Sequence, residues 1–212
     1  MAGVERPART ENGRRDLMDI AIDCFARYGY QATSIDRIAK TAGLTKGAIY
    51  YHFKDKEELL FEAVKNRVSQ FERRITADIA AVHDAAAALR RVGELCLEHA
   101  TKSNHRRLIV TLMVEALDTN ARLSAQFREM MRRFRAFLRG IIEVGQRQGV
   151  FRADVSAITA AGVYAGAVMG AEVEYYQDPD QIDLGEHLRA FLDQYLAWLA
   201  APVRRRAGGR QR

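Results

Sequence analysis

Between Lys46 and Lys56 the sequence KGAIYYHFKDK gathers three lysines, two tyrosines and a histidine into eleven residues. Cationic and phenolic side chains of this kind suit phosphate oxygens and the edges of bases. Lys46, Tyr50, Tyr51 and His52 belong to a helix too short to bury a large face, so its polar side chains point outward. Gly47, on the leading edge, lets the backbone approach a duplex closely. Lys54 and Lys56 stand at the start of the next helix, whose free N–H groups also favour an anion.

Catalysis and metal binding find no comparable support. The histidines His52, His83, His99, His105 and His187 include no i, i+4 pair and no HExxH. There is no GxSxG elbow, no GxxxxGK[ST] loop and no GxGxxG after a strand, so no enzyme, cofactor or metal is expected. Cys24 and Cys96 stand far apart without a CxxC pair, which excludes a disulfide framework and a thiolate zinc site. A reducing cytoplasm fits them.

The elements that position the basic cluster follow from periodicity. In RRDLMDIAIDCFARYGY, Leu17, Ile20, Ala21, Cys24, Phe25 and Tyr28 recur at helical spacing, and Gly29 ends the helix. TSIDRIAKTAG reads as a helix of about two turns, with Thr33 as N-cap, Asp36 completing a capping box and Gly43 closing it. Thr45 caps the third helix, and Asp55 with Glu58 opens a long exit helix carrying Leu59, Leu60, Val64, Val68 and Phe71 inward. Two short helices about a tight turn, braced by a third, form a helix-turn-helix whose second short helix enters the major groove. A three-helix subdomain with no nucleic-acid role is the alternative.

The stretch from Phe25 to Leu60, FARYGYQATSIDRIAKTAGLTKGAIYYHFKDKEELL, resembles the N-terminal domain of the TetR family of bacterial transcriptional regulators. The Tyr-Gly turn, the Thr-capped short helix, the Gly turn and the YYHFKDKEEL run carry the likeness over roughly residues 14–65. The resemblance implies a homodimeric all-α regulator with a variable C-terminal domain that binds an effector. It implies that Thr33 contacts a phosphate, that Thr45, Lys46 and Gly47 lie near bases, that Tyr50, Tyr51 and His52 meet the groove wall and backbone, and that Lys56 holds a phosphate. Ile49 and Phe53 are expected in the core, and packing remains the alternative for Tyr50 and His52.

Composition agrees with an all-α chain: 212 residues, 48% hydrophobic and 28% charged, with only 3 Pro and 15 Gly. Disorder throughout is excluded, and so is a signal peptide in MAGVERPARTENGRRD. The uncharged run Val155–Ala171 is too rich in Ala and Gly for a membrane span. The net charge of +6 sits at the ends: residues 1–56 carry ten basic and seven acidic side chains, and the tail 204–212 carries five Arg and no acid. The expected organisation is a flexible basic arm over 1–13, a helix-turn-helix domain over 14–60, an effector-binding and dimerisation domain over 61–203 and a basic disordered tail over 204–212.

The body is expected to hold helices near 85–102, 105–118, 121–148, 154–176 and 184–200. Gly162, Gly166 and Gly170 recur on one helical face, which suggests that another helix approaches closely; because the resemblance places the family's dimer contact on the last two long helices, a dimer interface is the leading account. Leu188, Phe191, Leu192 and Tyr195 would complete it on the last helix, and packing within one subunit or room for a ligand are the alternatives. Arg128, Arg132, Arg135 and Arg139 line one side of a helix, as a solvated face or as an anion site. His99, Met113, Glu115, Phe137, Tyr164 and Met169 are candidate effector contacts, though periodicity does not separate pocket from core. With these features the resemblance implies a cytoplasmic dimeric repressor released from a palindromic operator by a small, largely apolar effector: drug-like, a fatty acid or an acyl-CoA. An architectural DNA-binding protein, or a ligand-binding protein with a non-functional helix-turn-helix, are the alternatives.

Overall fold

A computed structural model describes residues 11–202. The expected tail over 204–212 and the arm up to residue 10 lie outside the described residues. Among the described residues there are nine α-helices: α1 (Glu11–Tyr28), α2 (Ile35–Ala42), α3 (Lys46–His52), α4 (Lys56–Ile79), α5 (Ala85–Lys102), α6 (Asn104–Thr119), α7 (Ala121–Gln148), α8 (Ala157–Gln177) and α9 (Leu184–Leu199). A single antiparallel bridge joins Phe151 to Ala200. The helix α1 begins at Glu11, inside the segment expected as an arm. Helix α8 begins later than expected because Ser156, not Asp154, supplies the cap, accepting from Thr159 N at 3.4 Å.

The chain forms two compact units. The first joins the described residues up to Asp78 to Cys96–Met131, and the second joins Ile79–Leu95 to the described residues from Arg132 onward. This division differs from a boundary at residue 60. The reason is one shared apolar core: Leu17, Ile22 and Phe25 of α1, Ile38 of α2, Ile49 of α3 and Leu59, Leu60 and Val64 of α4 cluster with Ile109, Leu112, Leu123 and Phe127 of α6 and α7. The long helices contribute apolar residues at helical spacing, α2 contributes Ile35, Ile38 and Ala39 and α3 contributes Ile49, and burying them removes those faces from water.

Local signals end the short helices. Gly43 adopts φ 64, a left-handed conformation open to glycine, and lets Leu44 N reach Ala39 O at 2.9 Å. The N-cap of α2 is Ser34, whose side chain accepts from Arg37 N at 3.2 Å. Thr33 is therefore not the cap, and no capping box forms with Asp36. The Thr33 side chain turns inward, where its hydroxyl donates to Gly29 O at 2.6 Å with Cys24 O at 3.3 Å, tying the turn back to the end of α1.

In the second unit, Tyr164 of α8 and Tyr195 of α9 stack edge to face at 5.5 Å. Tyr164 donates to Leu89 O and Tyr195 to Ala160 O, each at 2.8 Å. Burial pushes the Tyr195 phenol above its ordinary value. The turn after α7 is pinned to the end of α9 by Arg152 N to Leu199 O and Ala201 N to Val150 O.

Candidate nucleic-acid interface

The third helix is fixed from inside and open outside. Ile49 and Phe53 are buried in the first unit's core, as their spacing predicted. Thr45 caps the helix, accepting from Ala48 N at 3.2 Å. Outside, Tyr50 is 53% and Tyr51 75% exposed, fractions too large for packing residues. His52 is half-buried with its ring edge-on to Tyr51 at 5.0 Å, and Thr45, Lys46 and Gly47 are exposed. A Cβ built on Gly47 would meet only Thr45 Oγ1, at 3.8 Å. The protein leaves this position uncrowded and open to something that approaches from outside.

Lys46 Nζ lies 2.6 Å from Asp36 Oδ2, and both side chains are exposed. The pair crosses from α3 to α2 and holds the lysine over the surface that the two short helices share. Sequence reasoning placed Asp36 in a cap instead, and its role shows only once α2 and α3 are packed. Arg37, also missed, lays its guanidinium 4.4 Å over the Tyr28 ring. At the head of α4, Asp55 Oδ1 accepts from Glu58 N at 2.8 Å while Glu58 accepts from Lys54 N at 2.7 Å. This reciprocal cap leaves the Lys54 side chain exposed.

Lys56 is more constrained than its sequence position suggested. Its ammonium donates to Tyr30 O at 3.0 Å and lies 4.3 Å over the Tyr30 ring. One of three N–H groups is thus used to anchor α4 to the turn after α1, and two remain. Burial, then the carboxylates of Glu57 and Asp55, raise the Tyr30 phenol above its ordinary value. Lys56→Ala should reduce the salt slope of DNA binding by about one unit, with a similar loss on every sequence. A loss confined to one base position, read by anisotropy titration at several salt concentrations, would contradict a phosphate role.

Thr33, proposed as a phosphate contact, is 0% exposed with its hydroxyl committed to two carbonyls. Its side chain is part of the core, and Ser34, next to it, presents the exposed hydroxyl.

The effector candidates divide between the units. His99 and Met113 are half-buried in the first; Met113 packs against its apolar core and His99 lies against Phe71, ring centroids 4.0 Å apart. Glu115 is exposed, since the apolar run around it turns Leu112 and Ala116 inward and leaves residue 115 between them. In the second unit Phe137 and Met169 are half-buried, whereas Tyr164 is 0% exposed with its hydroxyl used, which makes it a core residue. Burial first, then the charges of Arg106, Arg67, His105 and Arg74, lower His99 from its ordinary value to about 3. The unfolded chain binds that proton at higher pH, so His99 makes stability fall as the medium is acidified below the ordinary histidine range.

The interface candidates also divide. Leu188, Leu192 and Tyr195 are at most 5% exposed and pack inside the second unit, so they are not surface contacts. Phe191 is half-buried against Tyr164 and Tyr195. Cβ atoms built on Gly162, Gly166 and Gly170 would meet nothing within 4 Å. Trp198 of α9, expected with Leu188 and Tyr195 on the last helix, is exposed, as are Ile158 and Val163 of α8, which the spacing did not single out. All four arginines of the 128–139 stripe are exposed; Arg128 donates to Ser124 at 2.8 Å and Arg139 pairs with Glu143 at 3.1 Å, which makes the stripe a solvated face. Among the described residues no group of side chains is arranged to hold a metal, and no helix is long and apolar enough to cross a membrane.

A short helix locked by two core residues and exposing lysine, tyrosines and an uncrowded glycine is the working part of a helix-turn-helix DNA-binding regulator. Comparison with known proteins agrees. Residues 17–63 match the family model described as bacterial regulatory proteins, tetR family, and residues 86–167 match that of the tetracyclin repressor-like C-terminal domain. A transcriptional repressor of Rhodococcus jostii, KstR2, is 27% identical over 193 residues, covering 91% of this chain and 94% of the relative. The fatty acid metabolism regulator protein of Bacillus subtilis is 26% identical over 170 residues, covering 79% and 86%. The crystal structure of FadR from Bacillus subtilis in complex with stearoyl-CoA superposes with a TM-score of 0.75 at 22% identity, covering 89% of this chain and all of that one. The chain belongs to the TetR family of bacterial transcriptional regulators.

Proposed function

We propose that this regulator is a homodimeric repressor that leaves a palindromic operator when a small, largely apolar effector binds its body. The observation that carries the DNA reading is α3: its inner residues are fully buried while Lys46, Tyr50 and Tyr51 stand exposed beside an uncrowded Gly47. In the dimer two such helices would stand about 34–36 Å apart, or at a multiple of that spacing. Support for the dimer comes from α8, where the open Gly162, Gly166 and Gly170 and the exposed Val163 offer a partner helix a close approach. The stearoyl-CoA complex named above supports an effector with a long apolar part. Repression then ends by a population shift, in which effector and operator favour different dimer conformations.

The test is a fluorescence-anisotropy titration on DNA from upstream of the protein's own gene, against scrambled duplex at one salt concentration. A preference of about 10³ or more, saturating at an even number of subunits, is the expected outcome. Because coupling is reciprocal, an effector that lowers operator affinity must bind the operator complex more weakly. Equal effector affinity with and without operator would sink the switching mechanism.

A further inference from the structure

Asp36 is the one acid on α2 and α3, whose other charged side chains, Arg37, Lys40 and Lys46, are cations. A carboxylate on a face that meets phosphates repels them, so its place there needs a reason. Its Oδ2 accepts from Lys46 Nζ at 2.6 Å, with the lysine side chain 55% and the aspartate 64% exposed. An ion pair so exposed contributes little to stability. The first turn of α2 suits an acid through the helix dipole, but the dipole requires no lysine from the next helix. Arg37, beside Asp36 in the chain, is turned onto the Tyr28 ring at 4.4 Å. The carboxylate is thus aimed at the recognition helix.

Lys46 is the first residue of α3, directly after the Thr45 cap, and the N-terminal residues of a recognition helix are those that reach base edges. One of its three N–H groups goes to Asp36 and two remain; the carboxylate only accepts. The pair therefore presents two donors followed by an acceptor. In the major groove a G·C pair presents the complement, two acceptors at guanine N7 and O6 followed by a donor at cytosine N4. Guanine O6 and cytosine N4 are themselves hydrogen-bonded, about 2.9 Å apart, close to the 2.6 Å between Nζ and Oδ2. An A·T pair presents acceptor, donor, acceptor, which leaves one group unmatched. The inverted C·G pair is worst, because the cytosine amino group meets the ammonium and the guanine acceptors meet the carboxylate.

Resting on the reading of this chain as an operator-binding regulator, we propose that Asp36 and Lys46 together read one G·C pair in each half-site, Lys46 taking the guanine and Asp36 the amino group of its cytosine. Asp36 thereby fixes which strand carries the guanine. A lysine alone does not, since its flexible stem reaches guanine N7 and O6 from either orientation of the pair. The acid supplies the discrimination by repulsion from the wrong orientation as well as by its own contact.

Selection of the full-length protein on a pool of randomised duplexes defines the half-site. Anisotropy titrations at one salt concentration then compare all four base pairs at each of its positions. At one position G·C should be preferred, and inverting it to C·G in one half-site should weaken binding about tenfold to a hundredfold. Asp36→Ala should shrink that inversion penalty to within about threefold while guanine-containing pairs stay preferred over A·T. Lys46→Ala should remove the guanine preference at the same position and leave the other positions unchanged. Both side chains are exposed, and a thermal melt unchanged from the parent shows that the variants fold. Inversion penalties that survive Asp36→Ala at every position, or a loss on Asp36→Ala that is equal for all sequences, would overturn the proposal and leave the regulator reading in place. A pool from which no sequence is enriched would overturn both.

Discussion

Gly47→Phe is expected to leave the protein folded and to remove at least about 100-fold of its operator affinity, two or more lost contacts' worth at about 1–3 kcal/mol each. A Cβ at this position meets only Thr45 Oγ1 at 3.8 Å, so the protein itself has room for a side chain. Replacing a helical glycine also restores up to about 1 kcal/mol of helix propensity, so thermal stability should hold or rise. The substituted ring would project from the leading turn of α3, between Lys46 and the exposed tyrosines. A helix held off the groove floor by the thickness of a ring loses its base contacts while phosphate contacts partly persist. Specific binding should therefore fall far more than binding to scrambled duplex. Anisotropy titrations on both duplexes, with a thermal melt, check it; operator affinity within about threefold of the parent would show that α3 does not enter the groove.

The second large effect concerns two glycines that look alike in sequence. Gly145→Ala should cost about 2 kcal/mol, because a Cβ there would lie 2.1 Å from the Phe151 ring and 2.9 Å from Ala85 Cβ. Overpacking of about 3 kcal/mol is offset by about 1 kcal/mol of helix propensity. Phe151 is 3% exposed, and Val150 N and Phe151 N both donate to Gly145 O at about 3 Å, so the ring has little freedom to retreat. A drop in Tm of roughly 4–8 °C follows for a chain of this size. Gly166→Ala meets nothing within 4 Å and strains nothing inside the subunit. Its effect should appear instead in the dimer, whose dissociation constant, measured by sedimentation, should rise about tenfold as a well-packed helix contact is held apart. An unchanged melting temperature for Gly145→Ala would refute the packing argument. An unchanged dissociation constant for Gly166→Ala would place the dimer contact elsewhere.

Much of this architecture was legible in the sequence for simple reasons. The helix-turn-helix is short-range: Thr45, Gly43, Gly29 and Asp55 are caps and stops that act within four residues, so their types and spacing suffice to place α2, α3 and the start of α4. The body helices follow from apolar periodicity, and α5 and α7 match their expected ranges. The errors have a common origin. Adjacent hydroxyls at Thr33 and Ser34 both suit a cap, and which one turns inward depends on the carbonyls at the end of α1. Leu188, Leu192 and Tyr195 lie on the apolar face of α9, but periodicity reports that a face is buried without saying whether the same chain or a second copy covers it.

By itself the sequence determined the helices, the DNA-binding motif and the absence of familiar catalytic signatures. These depend on interactions within a few residues, where residue type and spacing carry the information. Tertiary structure decided which side chains meet: Lys46 with Asp36, Lys56 with Tyr30, Gly145 with Phe151, and the arginines of α4 and α6 around His99. Such encounters join residues from six to more than thirty positions apart, across the turns between helices. They depend on the packing of whole helices, which no local spacing encodes.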